Sequence, residues 1–151
     1  FATALLVAGG LGVATFPFLT SRLSETRNIL TFVGARTTSN VIRIGLKNIQ
    51  IATDDGSEGF HGTVVDLFKA FINEQSVDTP RIYSCGPMPM MRAVAEIAKE
   101  KNIPCYVALE CEMACGIGLC QGCPVETTVG EKKYNLVCKD GPVFETRKVN
   151  F

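Results

Sequence analysis

The chain has 151 residues, 46% of them hydrophobic and 20% charged, and its Lys+Arg and Asp+Glu counts are both 15. That balance describes one globular domain, or one with a small appendage, rather than a disordered chain. With no net charge there is no electrostatic grip on nucleic acid or on an anionic membrane, and neither is expected as a partner. The first nineteen residues, Phe1–Leu19, are uncharged and long enough for a membrane span. Gly9, Gly10, Gly12 and Pro17 break that run, however, and no basic flank precedes it. The sequence opens on Phe1 without a start methionine, so it is expected to be the back half of something longer.

Thr3–Ala8 (TALLVA) is an apolar run closed by glycines, the pattern of a buried parallel strand. From Gly12 to Leu23 the spacing turns helical. Asn28–Gly34 and Leu46–Thr53 read as the second and third strands, and Asp54–Gly62 as a polar, glycine-rich loop. Thr63–Asn73 puts Val64, Leu67, Phe68, Phe71 and Ile72 on one helical face. Arg81–Cys85 is a fourth strand. Met88–Lys101 is a helix with Met91, Val94, Ala95 and Ala98 on one side, and Pro104–Leu109 is a fifth strand. The alternation predicts an α/β domain over residues 1–109: a five-stranded parallel sheet with helices on both faces. Ligands of such sheets bind beyond the carboxyl ends of the strands. After Leu109 glycine and cysteine take over, so a boundary is placed near Glu110 and a small irregular or β domain over residues 110–151.

Seven cysteines are many for this length, and four of them crowd between Cys111 and Cys123. Clustered cysteines bind metal or do redox chemistry more often than they form a disulfide scaffold, which points to a reducing, cytoplasmic setting. The spacing Cys115-x4-Cys120-x2-Cys123, with Cys138 after fourteen further residues, is that of a plant-type [2Fe–2S] cluster held by four thiolates. Gly116, Gly118 and Gly122 give the loop the backbone freedom to curl around a cluster. They also let N–H groups approach the sulfurs. Lys139-Asp140-Gly141-Pro142 reads as a turn. The plainer alternative is a structural zinc ion, but zinc sites usually pair two short knuckles and only one is present. Cys111 lies just outside the pattern, and Cys105 reads as a small buried hydrophobe.

Three loops at predicted strand ends are candidates for a nicotinamide cofactor. Gly9, Gly10 and Gly12 follow the first strand and open a helix, where a tight turn can approach a diphosphate. They lack the full G-x-G-x-x-G spacing, and a simple tight turn explains them equally well. Cys85, Gly86, Pro87 and Met88 follow the fourth strand: either Cys85 stands beside a nicotinamide ring, or it is merely buried before a turn. Asp54 and Asp55 follow the third strand, where adjacent carboxylates suit ribose hydroxyls and repel a 2′-phosphate, favouring NAD over NADP. His61, the only histidine, reads as a surface loop residue.

Taken in order, Ala8–Gly12, Thr53–Ser57, Cys85–Met88, Met113–Gly118 and Val137–Phe144 resemble the electron transfer subunits of NAD-dependent dihydroorotate dehydrogenases, a branch of the ferredoxin reductase-like flavoproteins. The resemblance covers the whole chain and is most specific in the cysteine segment. It implies three parts: an FAD-binding β-barrel, which this chain lacks, an NAD-binding α/β domain, and a [2Fe–2S] domain. Electrons would run between NAD and the FMN of a catalytic partner subunit, through FAD and the cluster, in a heterotetramer serving pyrimidine biosynthesis. Dihydroorotate would be oxidised on the partner, so no catalytic residue is expected here. The family tends to have proline where this chain has Thr15, with Pro17 two positions later. A sulfhydrogenase subunit, an NADH-dependent ferredoxin reductase and a zinc-stabilised interaction module are the alternatives.

Overall fold

The computed structural model describes residues 1–151. Strand β1, Thr3–Gly9, is buried at all seven positions. Such a run suits a strand paired on both edges and covered on both faces. A 3-10 stretch, Gly10–Thr15, follows, and then helix α1, Phe16–Leu23, with Pro17 in its first turn. The helix expected from Gly12 is therefore split: proline is tolerated where no intrahelical N–H is needed, so the α-helix begins around Pro17. Strand β2 spans Asn28–Ala35, β3 Ile49–Thr53 and β4 Phe60–His61. Helix α2, Val64–Glu74, opens on a capping box in which Thr63 and Asp66 satisfy each other's backbone N–H groups. Strand β5, Pro80–Cys85, helix α3, Met88–Glu100, and strand β6, Cys105–Ala108, complete the alternating part. Beyond it come β7, Pro124–Thr127, β8, Tyr134–Leu136, the single turn α4, Val137–Asp140, β9, Val143–Glu145, and β10, Val149–Asn150.

The main sheet has seven strands, not five, in the order β4-β3-β2-β1-β5-β6-β9, and it is mixed rather than all parallel. The five expected strands are present. The first addition, β4, pairs parallel with β3 through only two residues, both exposed, so no alternation of apolar and polar residues marks it. The second, β9, pairs antiparallel with β6 and places Phe144 opposite Val107. A three-residue strand carries too little pattern to be read, yet it covers an edge that would otherwise leave backbone groups unpaired. A separate antiparallel sheet, β10-β7-β8, supports the cysteine segment.

Helices cover both faces of the main sheet. Phe68 of α2 and Val94 of α3 pack with Leu5, Val7 and Phe32 on one face, while Phe16 of α1 packs with Leu6, Ala8 and Val33 on the other. A third core joins the two parts of the sequence: Met91 of α3 and Val107 of β6 pack with Cys123, Val125, Leu136 and Phe144. The cysteine segment is thus set against α3 and β6 by shared apolar packing.

Phe144→Ala is expected to lower the unfolding free energy by about 3 kcal/mol, the usual cost of emptying a buried aromatic site. Urea denaturation monitored by circular dichroism reads this directly, and a loss under about 1 kcal/mol would count against the shared core.

Candidate functional site: a switch-point crevice beside a cysteine loop

Strands β1 and β5 run side by side with Ala8 opposite Cys85. The chain proceeds from β1 toward β2 on one side and returns to β5 on the other, and this reversal opens a crevice at the carboxyl ends. The two loops leaving it are packed backbone against backbone. A Cβ on Gly12 would stand 2.3 Å from the carbonyl oxygen of Cys85. One on Gly86, at φ +149°, would stand 2.8 Å from the carbonyl oxygen of Gly9 and 2.9 Å from its nitrogen. One on Gly9 would meet Met90 Sδ at 2.6 Å. Gly10 is different: it is exposed, its φ is +54°, and nothing lies within 4 Å of its absent Cβ. Gly12 and Gly86 are therefore required by the chain's own backbone packing, Gly9 is crowded by the side chains of Met90 and Pro87, and Gly10 alone of the four borders open space.

Cys85 is 1% exposed and packs in the core under α1. Burial pushes its thiol up, with partial relief from the Thr15 hydroxyl. Pro87 caps α3, and Met88 begins it half-buried. Asp54 and Asp55 are exposed at the end of β3, two strands from β1, and so do not meet the glycine loop. Asp55 Oδ1 accepts the hydroxyl of Ser57 at 2.6 Å and its backbone N–H at 3.0 Å, which hold the carboxyl below its ordinary range. Glu58, not singled out from sequence, ties the excursion between β2 and β3 to this loop. Its Oε1 accepts Arg43 Nη2 at 2.6 Å, and its Oε2 accepts Thr38 Oγ1 at 2.6 Å. His61 is exposed on β4.

The cysteine loop begins where β6 ends. Cys115 lies by Cys120, and Cys123 lies by both Cys138 and Cys111. Cys115 Sγ accepts the backbone N–H of Cys120 at 3.3 Å. The N–H groups of Cys120, Ile117 and Leu119, with the Cys120 thiol, pull the Cys115 thiol down to about 6. Cys123 and Cys138 stand Sγ to Sγ at 3.2 Å, and the Cys138 N–H donates to Cys123 Sγ at 3.5 Å. These N–H contacts also hold the Cys123 thiol below its ordinary value. Gly116, at φ +68°, and Gly118, at φ +82°, make the curl that turns these N–H groups inward. The donor chemistry therefore fits a group needing several thiolates: peptide dipoles favour the charged sulfurs before anything binds. No three Cys, His, Asp or Glu side chains close around a single ion-sized point. Cys111 is exposed at the start of the loop. Cys105 is 1% exposed in the core, its thiol pushed up to about 12 by burial.

The crevice and the loop are linked by the start of α3. Met90 stands against Gly9 and Gly86 on one side, and with Met88 and Met91 it packs in the core that contains Cys123. Methionines inside a helix read from sequence only as core, so this link was not legible there.

A profile of the iron–sulfur cluster binding domain of dihydroorotate dehydrogenase B matches residues 110–150. The electron transfer subunit of dihydroorotate dehydrogenase B (NAD(+)) from Caldanaerobacter subterraneus subsp. tengcongensis is 36% identical over 151 residues, spanning 97% of this chain and 59% of its own length. A probable subunit of the same kind from Methanocaldococcus jannaschii is 40% identical over 152 residues, spanning 97% of this chain and 56% of its own. Across nearly its whole length the chain is thus similar to dihydroorotate dehydrogenase B electron transfer subunits. It spans only 56% to 59% of the length of these two curated relatives. The solved structure of the NADH-dependent reduced ferredoxin-NADP oxidoreductase, studied for flavin-based electron bifurcation, superposes with a TM-score of 0.85 at 31% identity, over 99% of this chain and 54% of that one. The family fold agrees with the mixed α/β sheet described above. No helix is long and apolar enough to cross a membrane.

The crevice geometry separates two neighbouring glycines. Gly12→Ala forces a Cβ into backbone and is expected to cost about 3 kcal/mol. Gly10→Ala meets only the left-handed penalty of about 1 kcal/mol. Thermal denaturation of the pair measures this, and equal losses would contradict the packing of the two loops.

Proposed function

We propose that this chain is the NAD-binding and iron–sulfur part of a dihydroorotate dehydrogenase B electron transfer subunit. Cys115, Cys120, Cys123 and Cys138 would hold a [2Fe–2S] cluster, two thiolates to each iron. The observation that carries this reading is that Cys115 and Cys123 each accept a backbone N–H, so peptide dipoles already favour charged sulfurs in the loop. A zinc ion would need its sulfurs gathered about 2.3 Å from one point. When bound, the cluster passes single electrons and a nicotinamide passes hydride, so a flavin has to join them.

The chain's own residues supply binding and separation. Gly10 leaves a backbone edge open at the crevice for a diphosphate, with Gly9 and Gly12 setting its shape. Gly86, Pro87 and Met88 form the opposite wall, with Cys85 behind it. Asp54 and Asp55 would face the adenosine ribose from the next strands. The methionines of α3 exclude water between the crevice and the cysteines. FAD would be held mainly by polypeptide outside this chain. The partner would be an FMN-containing subunit that oxidises dihydroorotate, in a cytoplasmic heterotetramer of two copies of each. The relatives' names and the N–H contacts to the thiols support this reading. The structural likeness to the NADH-dependent reduced ferredoxin-NADP oxidoreductase favours a second one, a flavin and iron–sulfur subunit reducing or oxidising ferredoxin. Cys115 in the first ligand position and the fourteen-residue gap before Cys138 favour the dihydroorotate reading.

The test is purification of the full-length protein with its partner, followed by visible absorption, iron and labile sulfide analysis. A brown protein whose partner carries FMN and oxidises dihydroorotate with NAD is the expected result. A colourless zinc protein would overturn the electron-transfer reading, and a ferredoxin-dependent partner would promote the second one. Cys120→Ser should lose most of the cluster, since a hydroxyl is a poorer iron ligand than a thiolate. Cys111→Ser should retain it, and the reverse result would mean that the ligand set is misassigned.

A further inference from the structure

Lys139-Asp140-Gly141-Pro142 reads from sequence as an ordinary turn, but Asp140 has a more particular place. Its Oδ2 reaches back across α4 to accept the backbone N–H of Leu136 at 2.7 Å, and it also accepts Lys132 Nζ at 3.0 Å. Leu136 is 7% exposed and lies immediately before the helical turn, where N–H groups have no intrahelical acceptor. Losing the carboxylate would strand a peptide N–H on a buried residue, which is unfavourable.

Three successive N–H groups are fixed in this way. That of Leu136 goes to Asp140, that of Val137 to the carbonyl oxygen of Cys123 at 2.9 Å, and that of Cys138 to Cys123 Sγ at 3.5 Å. The first has the only side-chain carboxylate among these acceptors. The ring that it closes, from Leu136 to Asp140, has Cys138 as its middle residue. The helical turn that carries Cys138 is only four residues long, so its closure depends on few bonds.

We propose that Asp140 is the positioning residue for Cys138: it closes the α4 turn from the side and so keeps the fourth thiol facing Cys123. This rests on the reading of the four cysteines as cluster ligands. Asp140 acts through the backbone of Leu136 and donates nothing to iron itself. Partners one step removed from a metal hold the ligand's orientation, and their loss typically weakens metal binding by about 10- to 100-fold.

The experiment uses the full-length protein and follows iron release to an excess of a chromophoric ferrous chelator, together with the visible circular dichroism of the cluster. Asp140→Ala is expected to release iron about tenfold faster than wild type and to alter the circular dichroism bands. Asp140→Asn, which keeps an oxygen to accept the Leu136 N–H, should restore most of the difference. Lys132→Met removes only the exposed ion pair and should stay within about threefold of wild type. Wild-type release from Asp140→Ala would overturn the proposal. So would Asp140→Asn or Lys132→Met matching Asp140→Ala, since charge rather than the peptide hydrogen bond would then be decisive. A wild-type protein lacking iron and sulfide altogether would instead remove the cluster reading, and this assignment with it.

Discussion

Two loops leave the middle of the sheet with no room for a side chain between them. Gly12 lies on the carbonyl of Cys85, and Gly86 lies on the backbone of Gly9. This close approach fixes where β1 and β5 end, where α3 begins and which way Met90 points. Met90 then carries the constraint onward, because it packs both against Gly9 and in the core that holds Cys123. Crevice and cysteine loop are therefore joined by one continuous run of contacts.

At the other end of that run the governing effect is electrostatic. Peptide N–H groups converge on Cys115 and Cys123, which stabilises negative charge on sulfur. Such groups are held by the fold and need not reorganise when charge arrives. Two other thiols show the opposite environment. Cys85 and Cys105 sit among apolar neighbours, which keep them protonated and inert. Backbone dipoles at Cys115 and Cys123 and apolar burial at Cys85 and Cys105 thus push thiols of one chain in opposite directions.

Much of this was legible in the sequence. The buried run Thr3–Ala8, the face of Val64, Phe68 and Ile72, and the strand ending at Cys85 each follow from a clear periodicity or from an unbroken apolar stretch. The glycines at positions 9, 10 and 12 were readable as a turn, but nothing in composition says that Gly12 faces backbone, Gly9 faces the side chains of Met90 and Pro87, and Gly10 faces open space. Strands β4 and β9 escaped because two or three residues cannot establish a period, and their pairing depends on partners far along the chain. Asp140 was read as turn chemistry, since a carboxylate that caps a distant N–H looks the same in sequence as one that points to water.

The short antiparallel strand β9 has a further meaning for how the cysteine segment behaves. Ala108 lies opposite Val143, and the Leu109 N–H donates to the carbonyl of Pro142 at 2.9 Å. The excursion that carries Cys111 through Cys138 therefore leaves the sheet and returns to it at nearly the same point. Its ends are clamped like the neck of a purse, so the closure entropy of that long loop is met by sheet pairing and not by whatever the cysteines hold. The segment is a fixed spur on the α/β body, without the freedom of a tethered arm. Whatever the cysteines hold sits on a segment tied to the α/β body at both of its ends.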